Sequence, residues 1–187
     1  VSLSSDEQKQ FTYCLNARSR GAKVEIIGGD ARLAMERELY NGKSRQFDVL
    51  ALDAFSSDSI PVHLLTREAM EIYGKHLKKD GVLALHISNR YLDLEPVVQR
   101  LARELSYKMI LVDSPDGIEV GQDWVYAATW ILLSRSQEFI DKVKANGEMQ
   151  EDLSEVQGLP LWTDDYASIF RIIRKPDWLP VWMEGGQ

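Results

Sequence analysis

The segment Asp53-Ala54-Phe55-Ser56-Ser57-Asp58-Ser59-Ile60-Pro61 places two carboxylates among three serine hydroxyls, directly after the apolar run Phe47 to Leu52. A carboxylate within hydrogen-bond reach can take a proton from an alkylammonium, while a second holds the cation. Loops also collect these residue types for turns and helix caps, so composition leaves both readings open. Gly28-Gly29-Asp30-Ala31 is a second candidate. Its glycines allow close backbone approach to a flat ligand, and Asp30 can accept from an exocyclic amine or cap the helix that follows. A third is Thr163-Asp164-Asp165-Tyr166, suited to a polyamine cation or to a polar turn carrying a packed ring.

Certain elements must position these groups. Val24 to Ile27 reads as a strand that ends at Gly28-Gly29, with a helix from Ala31 to Tyr40 closed by Asn41-Gly42. Phe47 to Asp53 is mostly apolar without alternation, as in a strand covered on both faces. Leu65, Ala69, Ile72, Tyr73 and Leu77 recur at helical spacing, with Thr66 as cap and Asp80-Gly81 as exit turn. Val82 to Ile87 reads as a buried strand. A helix follows with Asp93 as N-cap, Pro96 in its first turn, and Leu94, Val97, Val98, Leu101, Ala102 and Leu105 on one face. Met109 to Val112 and Val125 to Leu133 complete the strands, and Glu138 to Gln157 holds a helix and a loop.

This alternation predicts an α/β domain with a mostly parallel sheet between helices, its last two strands antiparallel neighbours at an edge. Ligands of such sheets bind beyond the carboxyl ends of the strands. The candidates there are Gly28 to Asp30, Asp53 to Asp58, and Ser88 to Arg90. His86 reads as a core residue, and His63 and His76 as helix-surface or boundary positions, none with a catalytic role. Trp124, Tyr126, Trp130, Trp162, Trp178 and Trp182 read as packing residues.

The 187 residues suit one domain, and a net charge of −7 disfavours nucleic-acid and anionic-membrane partners. The single cysteine, Cys14, excludes an internal disulfide and fits a reducing compartment. Three scattered histidines and one cysteine lack the spacing of a zinc site, so no metal is expected. The longest apolar runs fall far short of the ~20 residues of a spanning helix.

From Phe11 to Arg174 the chain resembles the spermidine synthase-like aminopropyltransferases, in particular a bacterial branch often fused to membrane segments. The resemblance is carried by Phe11-Thr12-Tyr13, Val24 to Arg32, Phe47 to Glu68, His86-Ile87-Ser88-Asn89-Arg90-Tyr91-Leu92-Asp93-Leu94, and Thr163 to Tyr166. The block from Phe47 to Glu68 is the most specific. The resemblance implies a Rossmann-like, methyltransferase-type fold and an S-adenosyl donor, S-adenosylmethionine or its decarboxylated form. It implies transfer of an aminopropyl or methyl group to a small amine or polyamine, without a metal. Gly29, Asp30 and Ala31 become the donor's adenine contacts, and Asp53 the strand-end carboxylate near the donor. Asp58 or Asp53 becomes the acceptor of the amine proton, with Asp58 preferred. Asp164, Asp165 and Tyr166 become substrate contacts.

In the family a Gly-rich loop and a ribose-binding acidic residue come before the position of Phe11, and the chain has neither. Ser114-Pro115-Asp116-Gly117-Ile118-Glu119 stands where the family has a Tyr-Pro segment. The expectation is a single domain over 1–187, truncated at its N-terminus and lacking the first strands, with weak donor binding of its own. A homodimer is expected through the exposed strand edge, in a cytoplasmic protein whose parent is tethered through an N-terminal region. The alternative is a non-catalytic remnant or cassette that acts through self-association or partner binding.

Overall fold

In the computed structural model, the residues described are 12–53, 61–114, 127–145 and 158–174. Four strands form one sheet: β1 (Phe47–Leu52), β2 (Leu77–His86), β3 (Lys108–Ser114) and β4 (Ala128–Ser134), in the order β1-β2-β4-β3. The helices are α1 (Thr12–Ser19), α2 (Ala31–Tyr40), α3 (Arg67–His76), α4 (Glu95–Glu104) and α5 (Gln137–Ala145). Short 3-10 turns occupy Val62–Leu64 and Ile169–Ile172.

β1 and β2 are parallel, whereas β4 is antiparallel to both β2 and β3. It follows that β1, β2 and β3 run in one direction and β4 is inserted in reverse. The expected α/β class holds, and β3 and β4 are the antiparallel pair anticipated for the last two strands. The sheet is mixed in its pairings, because β4 inserts antiparallel between β2 and β3, which are themselves joined through α4.

Each well-formed helix has a local cause. Thr66, in extended backbone, accepts the Ala69 N–H at 3.2 Å and starts α3, whose buried Ala69, Met70, Ile72, Tyr73 and His76 share one face. Val97, Val98, Leu101 and Ala102 turn α4 toward the same core. That core joins Leu83 and Leu85 of β2 and Ile131 and Leu133 of β4 to Met70, Tyr73, Leu101 and Trp162. Each fully buried aliphatic side chain contributes roughly 1.5–3 kcal/mol.

Several expectations are corrected. Val24 to Ile27 forms no strand and pairs with none of the described strands; Val24 and Ile26 are half-buried while Glu25 and Ile27 are exposed. β1 is covered on one face rather than two, with Val49 and Ala51 exposed on the other. Asp80-Gly81 is no exit turn but part of a bulge within β2. There β1 advances from Phe47 to Val49 while β2 advances from Leu77 to Val82. A Cβ on Gly81 would lie 2.9 Å from the Phe47 carbonyl oxygen, which explains the glycine. Asp93 does not cap α4. The cap position falls to Leu94, and the Asp93 N–H instead donates to the Ile172 carbonyl at 2.7 Å, tying the chain to the C-terminal segment. Finally, His76 is fully buried rather than at the surface, accepting the Arg45 N–H at Nδ1 and lying 3.0 Å from the Met35 carbonyl through Nε2.

Candidate functional site

The register between β1 and β2 ends at Leu52 beside Leu85, so the next positions, Asp53 and His86, emerge together at the carboxyl ends of two parallel strands. Asp53 Oδ1 lies 2.8 Å from His86 Nδ1, and His86 Nε2 lies 2.8 Å from Ser88 Oγ. The Thr129 N–H donates to the same Ser88 oxygen at 2.7 Å. Trp130, opposite His86 on β4, stacks on the imidazole with ring centroids 4.9 Å apart. His86 is therefore not a sealed core residue: its side chain retains 22% exposure, and both ring nitrogens carry oriented partners. With a carboxylate at Nδ1, the neutral ring keeps its proton there and leaves Nε2 to accept from the serine hydroxyl.

A second aspartate–histidine pair forms at the entrance to α2. Gly29 has φ of +120°, a conformation that favours glycine and delivers Asp30 to the cap position. Asp30 accepts the Leu33 N–H at 2.9 Å and meets His63 Nε2 at 2.8 Å. The Leu33 N–H, followed by His63, holds the Asp30 carboxyl below the usual aspartate value. Asp30 is thus the N-cap of α2. Gly29 and Ala31 line a groove of about 520 Å³ with Ile27, Ala34, Met35 and Leu50, while the Asp30 carboxylate is engaged by Leu33 and His63.

Asp164 belongs to a third cluster. Arg32, buried on α2, grips both carboxylate oxygens, with Nη1 to Oδ1 at 2.7 Å. Thr66 donates its hydroxyl to Oδ1 at 2.7 Å, and Arg32 also donates to the His63 carbonyl at 2.7 Å. The Arg32 guanidinium holds the Asp164 carboxyl below its ordinary value, and Arg32 is raised in turn. Asp165 and Tyr166 are exposed and line a cavity of about 260 Å³ with His63, Thr66 and Thr163. Asp164 joins α2 to α3 and the C-terminal segment, while Asp165 and Tyr166 keep open faces.

Asp58 lies outside the described residues, as do Trp124, Tyr126, Trp178 and Trp182. Trp162 is buried, as packing predicts. The sequence reading missed His63, His86 and Arg32 as site residues; Ser88 stood within the strand-end group it nominated. The signal for His86 was its place at the end of the strand following Asp53. Among the described residues no cluster of three or more His, Cys, Asp or Glu side chains could hold a metal, and no helix is long and apolar enough to cross a membrane.

No family model matches the chain, and no curated protein does. Among solved structures it is similar to a probable spermidine synthase from Corynebacterium glutamicum, at 15% identity over 73% of this chain and 57% of that one, with a TM-score of 0.43. It is also similar to spermidine synthase from Thermotoga maritima, at 18% identity over 77% of this chain and 48% of that one, with a TM-score of 0.41. MNMC2 from Aquifex aeolicus matches at 16% identity over 76% of this chain and 44% of that one, with a TM-score of 0.39. The chain spans about half the length of the solved structures it matches.

Proposed function

We propose that the chain is part of a spermidine synthase-like transferase that moves an aminopropyl or methyl group from an S-adenosyl donor to a small amine or polyamine. The observation that carries this reading is the Asp53–His86 pair at the carboxyl ends of adjacent parallel strands, where sheets of this kind bind their ligands. The reaction is an in-line displacement at a carbon bonded to sulfonium, in which the protein positions the two reactants and removes a proton from the amine.

The donor's adenine takes the groove lined by Gly29 and Ala31, whose walls also carry Lys23, Glu25, Glu38 and Arg45, and Asp30 between those two residues is a further contact. Asp53 stands near the donor, and Asp58, or Asp53 itself, receives the amine proton. Asp165 and Tyr166 contact the amine, whereas Asp164 serves it indirectly, by fixing the segment that carries them. The protein takes no metal and acts in the cytoplasm, where its free Cys14 stays reduced.

The test is incubation of the protein with S-adenosylmethionine or its decarboxylated form and, separately, putrescine or spermidine, followed by mass spectrometry. The expected result is an amine heavier by one aminopropyl or one methyl unit, lost in Asp53→Asn. Failure of both donors with both amines, together with calorimetric titrations that detect no donor binding, overturns the reading.

The second reading is a non-catalytic module that acts by self-association. It is favoured by β1, whose described partner is β2 alone and which leaves Val49 60% exposed.

A further inference from the structure

We propose that His86, held between Asp53 and Ser88, is the group that finally receives the proton released by the acceptor amine, with Ser88 as the contact to that amine. This inference rests on the transfer reading above and changes its proton acceptor, a role that the family resemblance gives to Asp58 or Asp53.

The geometry decides how the three groups divide the work. Asp53 Oδ1 at 2.8 Å from Nδ1 fixes the neutral ring as the tautomer protonated at Nδ1. Nε2 is then a bare acceptor, and Ser88 Oγ at 2.8 Å is its donor. Ser88 has two lone pairs. The Thr129 N–H occupies one at 2.7 Å and pins the oxygen in place, which leaves the other for an incoming ammonium N–H.

The transfer then balances. An ammonium N–H bond breaks as its hydrogen moves to Ser88 Oγ, and the original Ser88 hydroxyl hydrogen moves to His86 Nε2. The amine keeps the freed electron pair for attack on the carbon next to sulfonium, and the C–S bonding pair leaves with the sulfur. His86 ends as an imidazolium that donates to Asp53 from Nδ1 and to Ser88 from Nε2. The Asp53 carboxylate offsets the new charge. Among the described residues Asp53, just after β1, is the ionisable side chain hydrogen-bonded to the ring; β4 contributes the uncharged Trp130, stacked on the ring face.

The same three residue types also compose a nucleophilic triad, with the aspartate on Nδ1 and the serine on Nε2. Thr129 argues against that use. Its N–H holds a lone pair of the would-be nucleophile. A relay needs the serine oxygen held still, whereas a nucleophile needs it free to move toward carbon.

The experiment uses the full chain labelled with ¹⁵N-histidine, its His86 resonances assigned by loss in His86→Gln. The expected neutral tautomer carries its proton on Nδ1. A neutral tautomer protonated at Nε2 overturns the proposal. In the transfer assay, His86→Gln and Ser88→Ala should each lower kcat by about 10²-fold or more, with the KM for putrescine changed less than about twofold. An active wild type whose His86→Gln variant keeps the wild-type rate overturns the relay alone. A wild type that transfers nothing overturns the function reading, and the relay with it, whatever tautomer the ring adopts. Stoichiometric labelling of Ser88 by a fluorophosphonate overturns the relay in favour of a serine nucleophile.

Discussion

Changing Asp164 to asparagine should destabilise the protein more than removing its partner, Arg32→Met, although both break the same ion pair. The reason is an asymmetry of burial: the Arg32 side chain is 11% exposed and that of Asp164 is 43% exposed. Asp164→Asn leaves a buried guanidinium without its counter-charge, whereas Arg32→Met leaves a carboxylate that water can reach. Removing one partner of a fully buried pair costs about 3–5 kcal/mol, but the exposure of Asp164 screens this pair. The asparagine also keeps an oxygen for Thr66 and for one arm of Arg32. A cost of ~1.5–3 kcal/mol is the appropriate range for weakening hydrogen bonds to a charged group. At about 2–4 °C per kcal/mol for a chain of this size, a loss of ~2 kcal/mol lowers Tm by about 4–8 °C.

The pH dependence supplies an independent check. The Asp164 pKa is lowered in the folded protein, chiefly by the Arg32 hydrogen bond, from an ordinary value of 3.8. A depressed carboxylate contributes stability that is fully present above the unfolded pKa and is lost as pH falls through the folded one. The gap in Tm between wild type and Asp164→Asn should therefore be steady near neutrality and narrow as pH drops below 3.8. Differential scanning calorimetry across that range reads both effects. A Tm for Asp164→Asn within 1 °C of wild type at neutral pH, or a larger loss for Arg32→Met, refutes the burial argument.

Asp30→Ala should cost ~1 kcal/mol through the lost cap of α2, and a chemical denaturation midpoint equal to wild type would contradict that role. Gly74→Ala should destabilise the wild type, because its Cβ would lie 2.7 Å from the Tyr107 hydroxyl, a buried group without a hydrogen-bond partner among the described residues. In a Tyr107→Phe background the same substitution should instead stabilise by up to ~1 kcal/mol, the helix propensity gained; thermal melts of the four variants decide, and an unchanged sign counts against the contact. If the side of β1 left unpaired among the described residues mediates self-association, wild type should sediment as a dimer at micromolar concentration and Val49→Lys as a monomer. A wild-type monomer near 21.3 kDa throughout excludes that interface.

What the sequence disclosed, and what it concealed, follows from the range of the interactions involved. The helices over Ala31 to Tyr40 and around Leu65 to Leu77 were legible because caps and apolar spacing act within a few residues, and Thr66 caps as expected. Val24 to Ile27 has the alternation of a strand, but a strand exists only where a neighbour completes its ladder, and no local pattern announces that neighbour. The carboxylates Asp30, Asp53 and Asp164 were nominated by type and position, whereas their partners His63, His86 and Arg32 come from 33, 33 and 132 residues away. Such pairings depend on register and helix placement, which one strand's composition does not encode. His86 illustrates the step. Read alone, it was a histidine in an apolar run; read with the parallel register that sets Leu52 beside Leu85, it had to emerge next to Asp53. Asp164 differs in its partners, because its carboxylate serves a buried arginine. Function is therefore best sought first at Asp53 and His86, where charge, hydroxyl and exposure meet, and only second at the acidic turn near the C-terminus.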